Sequence, residues 1–302
     1  MGGPDLIHAV AVLAARWFHR KTVVKLANSG QASDIHKMRI GQQLPLSRFL
    51  LPLALQCDRF VATNRMIAEE LISAGVPADR IMQLPNGVET DSIPVKVNYA
   101  LHDPVRLIFV GRLHEQKGLE TLLAAFQQLI SRYPKRNLRL QLLGEGPLRN
   151  DLAALAEQTG IALQVDFLGM TGQVFEHLQQ ADIFVLPSRA EGLSNALLEA
   201  MACGLPVLVS DIPANTDVIE HKQNGLTFTK GDPESLANAV TSLLDQAALR
   251  EQVGRTARQT IESRYSLDFI AERYIALYND MLSSNQVNQP YMNLNPTGKE
   301  RS

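Results

Sequence analysis

Short apolar runs alternate along the chain with longer stretches whose apolar residues recur every three or four positions. The first pattern suits strands buried in a parallel sheet, and the second suits the helices that connect them. From residue 105 onward the rhythm is clear. VRLIFVG, LRLQLLG, VDFLG, DIFVLPS, PVLVS and GLTFT predict strands. LETLLAAFQQLISRY and segments near 147–159, 173–180, 233–246 and 248–263 predict helices. Asp232 and Pro233 supply an N-cap and a fixed φ where one of these helices starts. Most of the strands end in Gly or Ser, which permits the close turns that a ligand needs at a strand end.

Residues 1–100 are patchier. Helices are predicted around 8–19, around 48–56 and through MIAEELISAG, with strands at TVVKLA, DRFVAT and RIMQLP. Asn86 and Gly87 then turn the chain, and residues 89–104, with two prolines and no periodicity, read as a linker. The alternation predicts an α/β fold. A first domain over 1–100 lacks a Gly-rich loop after its first strand and looks incomplete; a complete parallel-sheet domain follows over 101–265. A helix over 266–283 and a polar, aperiodic tail over 284–302, expected to be disordered, complete the chain.

A chain of 302 residues that is 45% hydrophobic can bury two modest cores. Only Cys57 and Cys203 occur, both in apolar stretches, which argues against a disulfide framework or a thiolate metal site and suits a reducing compartment. The seven histidines show no ligand spacing and no Asp-x-Asp pair is present, so neither a metal nor a cofactor is expected. Charge is uneven: residues 1–65 hold nine Lys/Arg against three Asp/Glu, while the rest of the chain is acidic. Arg16, Trp17, Phe18, Arg20, Lys21 and Lys25 would suit peripheral contact with an anionic membrane, or form an ordinary solvated face. No apolar run approaches the ~20 residues of a membrane span. The positive charges near the start follow the apolar stretch, the reverse of an export signal, so cytoplasmic residence is expected.

The most informative segment is SRAEGLSNALLEAMACGLPVLVS, residues 188–210. Gly192, Leu193 and Ser194 read as the turn into a helix with Ser194 as N-cap, and the first amides of such a helix suit a phosphate. Glu191 stays in the loop while Glu199 lies inside the helix, so one carboxylate serves each end of a diphosphate, where a sugar and a ribose present hydroxyls. Read alone, the two glutamates are solvated charges. Apolar strands on both sides place them instead at the carboxyl end of a parallel sheet, where such sheets bind ligands. A second element, GRLHEQKG, sets Arg112 and Lys117 between Gly111 and Gly118, two cations suited to a leaving pyrophosphate in place of a metal. The alternative for these cations is surface pairing with Glu115 or Glu120. A third loop, LLGEGPLR, brings Glu145 and Gly146 to another strand end, where backbone can approach a nucleotide or simply turn.

Taken together, FVGRLHEQKG, LLGEGPLR, VDFLG, ADIFVLPSRAEGLSNALLEAMACGLPVLVSD and NGLTF resemble the retaining glycosyltransferases of family 4. The resemblance spans residues 105–282 and implies the GT-B architecture of two Rossmann-like domains. It implies a donor site in which Glu191 and the 192–194 backbone meet sugar and diphosphate, Glu199 holds the ribose, and Arg112 and Lys117 take the distal phosphate. It also makes 266–283 the helix that crosses back to the first domain. PDLIHA, TVVKLANSG, CDRFVATN and LPNGVET are similar to the family's later first-domain strands, so the front of that domain is missing from this pattern. His8 and Asn86 fall on the acceptor side; Val10 stands where a second histidine is usual, and His8 can equally be a packed strand residue.

The resemblance implies transfer of a sugar from a nucleotide diphosphate donor to a glycan or lipid-linked acceptor, with no nucleic acid involved. A nucleotide-sugar-binding chain without transferase activity is the first alternative. A dinucleotide-dependent oxidoreductase is the second, weakened by the absence of GxGxxG after a first strand. Phosphorylases and sugar epimerases share the architecture.

Overall fold

The computed structural model describes residues 4–27 and 52–283. The chain divides into two units: residues 1–86 with 270–302, and residues 87–269. The expected tail over 284–302 and residues 48–51 of the expected helix over 48–56 lie outside the described residues; of the rest, 52–54 are helical.

Among the described residues of the first unit three strands, β1 (Val23–Leu26), β2 (Arg59–Ala62) and β3 (Ile81–Gln83), form a parallel sheet in the order β1-β2-β3. The helix Arg65–Ser73 connects β2 to β3. Its N-cap is Asn64, whose side-chain oxygen accepts the Ile67 amide at 2.9 Å. Ile67 and Leu71, four apart on one face, join Leu26, Phe60 and Val76 in a small core that also buries Cys57. Burial pushes the Cys57 thiol up. Asp280, on the C-terminal helix Leu267–Ser283, pairs with Arg59 at 3.3 Å.

The unit opens on a helix, Pro4–Trp17, and not on a strand. This corrects the strand expected at PDLIHA: His8 lies within the helix, which spans 4–17 instead of 8–19. The physical reason is local. Proline is tolerated in a first helical turn, and the following apolar run is too long and too rich in Leu and Ala for a strand.

The second unit is built on a six-stranded, all-parallel sheet in the order β6-β5-β4-β7-β8-β9. The strands are β4 (Val105–Val110), β5 (Leu138–Leu143), β6 (Val165–Gly169), β7 (Ile183–Leu186), β8 (Val207–Ser210) and β9 (Leu226–Phe228). Every residue of β7 and β8 is buried, as continuous apolar strands covered on both faces must be. From β4 the chain builds outward through β5 and β6, then returns to the other side of β4 with β7. The strand order therefore reverses between β4 and β7, and the carboxyl end of such a switch point is the place where these sheets hold ligands.

The surrounding helices start and stop where local chemistry directs. Asp232 caps Pro233–Asp245, accepting amides at 2.9 and 3.1 Å. Gly204, at φ +72°, follows the helix Asn195–Ala202, and Arg258 donates to the Ala202 carbonyl at 2.7 Å. Gly254, on the helix Ala247–Arg264, allows close packing: a Cβ there would stand 2.6 Å from the Gly204 carbonyl oxygen.

Candidate donor site

Three loops meet at the carboxyl edge of the second unit's sheet. After β4, Gly111 donates its amide to the Leu143 carbonyl at 2.9 Å, so this loop and the end of β5 start in contact. His114 caps a short turn over Glu115–Lys117, accepting the Gln116 amide on Nδ1 at 3.3 Å. Gly118 then adopts the left-handed conformation, φ +63°. No other residue type fits: a Cβ there would lie 2.3 Å from the Pro187 carbonyl oxygen, in the loop after β7.

The loop after β5 is fitted to the first just as closely. A Cβ on Gly144 would lie 2.0 Å from the Gly111 carbonyl oxygen, and one on Gly146 would lie 2.2 Å from that of Leu113. Leu113 donates its amide to Glu145 O at 2.9 Å and accepts the Leu148 amide at 3.1 Å. The Glu145 side chain is exposed and pairs with Arg149 at 3.5 Å.

The loop after β7 carries Glu191. Its Oε1 accepts the Lys117 ammonium at 2.5 Å and the Ser188 hydroxyl at 2.6 Å, while the Arg189 amide donates to Gln116 O at 2.8 Å. The cationic turn and the carboxylate loop thus open onto one edge of the sheet. Lys117 does not pair with Glu115 or Glu120; Glu120 instead lies 3.5 Å from Arg189. The Lys117 and Glu191 side chains are only 19% and 9% exposed, so water screens their attraction weakly. Arg112 is exposed, and among the described residues no side chain pairs with it.

Beyond Glu191, Gly192 and Leu193 lead into the helix Asn195–Ala202. Ser194 is its N-cap, and its hydroxyl accepts the Leu197 amide at 3.4 Å. The first-turn amides of such a helix have no partner within it, and their dipoles favour an anion. Glu199 lies one turn further along, half-buried, and burial pushes its carboxyl above the ordinary carboxylate range. The same burial, with Glu199 nearby, pushes the Cys203 thiol up to about 12.

Gly111, Arg112, Lys117, Glu145, Gly146, Glu191, Gly192, Leu193, Ser194 and Glu199 all belong to this one unit. His8 and Asn86 belong to the other, where Asn86 accepts Lys25 Nζ at 2.9 Å. Ser188, Ser210 and Asn215, which support the Glu191 loop, escaped the sequence reading. Their only signal was a serine closing each of two apolar strands. Among the described residues, no three or more His, Cys, Asp or Glu are grouped to hold a metal ion.

The chain is similar to known glycosyltransferases. The chain is 31% identical over 232 residues to an uncharacterized glycosyltransferase of Methanocaldococcus jannaschii, covering 72% of this chain and 59% of that one. It is 31% identical over 232 residues to the amylovoran biosynthesis glycosyltransferase AmsK of Erwinia amylovora, covering 74% and 56%. The chain therefore spans less than two thirds of the length of these relatives. Among solved structures, HepE of Anabaena in complex with UDP superposes with a TM-score of 0.80 at 18% identity, over 91% of this chain and 77% of that one. The fold is the GT-B fold of glycosyltransferases. Residues 104–246 match the model of glycosyl transferases group 1 and residues 2–92 that of glycosyltransferase family 4, so the chain resembles glycosyltransferases over most of its length.

Proposed function

We propose that the chain transfers a sugar from a nucleotide diphosphate sugar to an acceptor hydroxyl, with retention at the anomeric carbon. The observation that carries this reading is the bond between Lys117 and Glu191, which ties the loops after β4 and β7 together where the strand order reverses. A diphosphate lying between the 112–117 turn and the helix start at Asn195 meets cations on one side and first-turn amides on the other. Glu191 then faces the sugar, and Glu199 the ribose diol. Arg112 and Lys117 stabilise the charge that develops on the leaving diphosphate and supply what a metal supplies in other transferases.

The bond from the anomeric carbon to the diphosphate oxygen breaks as the acceptor oxygen attacks from the same face. The acceptor's proton passes to the departing phosphate oxygen, so no side chain acts as nucleophile. The protein's role is to orient and to stabilise charge. His8 and Asn86 belong to the acceptor side. HepE, crystallised with UDP, supports a uridine donor, and AmsK, named for amylovoran biosynthesis, supports an acceptor in polysaccharide, lipopolysaccharide or glycolipid assembly.

Thermal-shift titration with UDP-, GDP- and ADP-sugars tests the donor claim, and proton NMR of the product tests retention. A melting temperature unmoved by every nucleotide sugar overturns the first, and an inverted product overturns the second. Binding without any product supports a donor-binding role alone.

The reaction is assigned to the cytoplasm, at the inner face of the membrane. Among the described residues no helix is long and apolar enough to cross a bilayer. Val10, Leu13, Trp17 and Phe18 are between 51% and 83% exposed beside Arg20 and Lys21, a composition that suits an anionic lipid surface. Vesicles of phosphatidylglycerol are expected to sediment the chain at low salt and to release it at high salt; indifference to salt or no sedimentation removes the membrane contact.

A further inference from the structure

Beneath the Glu191 loop lies a run of polar side chains to which contact with the donor assigns no role. Ser188, Ser210 and Asn215 are 0%, 0% and 1% exposed. Asn215, in the short helix Pro213–Thr216, donates from Nδ2 to the Ser210 carbonyl at 3.0 Å and to its hydroxyl at 3.2 Å. Ser210, the last residue of β8, donates its hydroxyl to the Ser188 carbonyl at 2.5 Å. Ser188 in turn donates its hydroxyl to Glu191 Oε1, the oxygen that also accepts Lys117.

Each member orients the next. The Asn215 amide fixes the Ser210 hydroxyl, that hydroxyl fixes the Ser188 backbone, and the Ser188 side chain fixes the carboxylate. The rest of β8 is Val207, Leu208 and Val209, all buried, so apolar residues would fill the same space. Burying three polar side chains costs free energy unless every one is hydrogen-bonded, and these are, in a series that ends on the carboxylate. The loop is held from the other side as well, by the Arg189 amide on Gln116 O and by Gly118 against Pro187. A reacting group gains most from supports that leave it one arrangement.

We propose that Ser188, Ser210 and Asn215 are positioning residues that hold Glu191 in the orientation in which it meets the donor sugar. The inference rests on the reading above that Glu191 faces that sugar.

Ser188→Ala and Ser210→Ala, made in the full chain, test it through the affinities of UDP and UDP-glucose measured by calorimetry. UDP lacks the sugar, so the ratio of the two affinities isolates the contact that Glu191 makes. We expect UDP affinity within about twofold of the parent and UDP-glucose affinity lower by about tenfold in both variants. A role confined to stability moves melting temperature or both affinities together; equal losses, or none, overturn the proposal.

Amide exchange in the ligand-free chain gives a second reading that needs no nucleotide. Ser210→Ala is expected to speed exchange across 188–194 while the amides of β8 keep their protection. If the parent binds neither UDP nor UDP-glucose, the donor assignment fails, and unchanged exchange over 188–194 then overturns the positioning claim separately. If Ser210→Ala does not fold, exchange over 189–194 in Ser188→Ala decides the question.

Discussion

At the scale of single residues, the site is a small set of charges whose surroundings decide their use. Lys117 and Glu191 are mostly buried and share a 2.5 Å bond, so removing Lys117 takes this counter-charge from the Glu191 carboxylate. Lys117→Ala is expected to lower kcat/KM by a factor on the order of 100 or more and to lower thermal stability. Adding Glu191→Gln should restore stability without restoring turnover. Steady-state kinetics beside thermal unfolding check this, and recovery of turnover in the double variant would refute the charge-stabilising role. Glu199 presents the opposite case. Its carboxyl is raised by burial, so its contribution to folding is full below the ordinary carboxylate pKa and fades as pH rises through the raised value. A ribose diol needs the ionised form as acceptor, so nucleotide affinity should grow over the same rise in pH. Glu199→Gln is therefore expected to melt higher than the parent at neutral pH, to bind nucleotide about tenfold more weakly, and to lose that pH dependence. Calorimetry over a pH series that starts near the ordinary carboxylate pKa and ends above neutrality measures all three.

At the scale of elements, the loops depend on glycines more than on side chains. Gly118 has both a left-handed φ of +63° and a backbone oxygen 2.3 Å from where a Cβ would sit. Gly118→Ala should cost about 1–3 kcal/mol of stability and abolish detectable nucleotide binding, because the loops after β4 and β7 must part. Urea unfolding and calorimetry test this; unimpaired binding would show that the loops do not work as a unit. Most of these elements were legible in the sequence. Continuous runs such as IFVL and VLVS can only be strands buried on both faces, and Asp232 with Pro233 marks a helix start to the residue. PDLIHA resembles a strand by its motif, but the length of the apolar run behind it makes it part of a helix. The series from Asn215 through Ser210 to Ser188 is not legible beyond the serine that closes each of two apolar strands, since Ser210 meets Ser188 across 22 residues and no periodicity encodes such a meeting.

At the scale of the whole molecule, the ten residues proposed for the donor side share one unit and the two proposed for the acceptor side the other. Each unit has its own apolar interior, and that of residues 87–269 is much the larger. Each also encloses one cysteine: Cys57 in the first and Cys203 in the second, both fully buried with thiols raised by that burial. Only thiolate reacts with alkylating or disulfide reagents, so neither should label at neutral pH until its own unit opens. The pair then serves as two internal stopwatches, read by mass spectrometry from a single sample. We expect the Cys57 peptide to be modified first, with Cys203 lagging and slowed further when a nucleotide is bound. The chain thus carries its own means of timing how independently its halves breathe, with no dye, tag or engineered substitution.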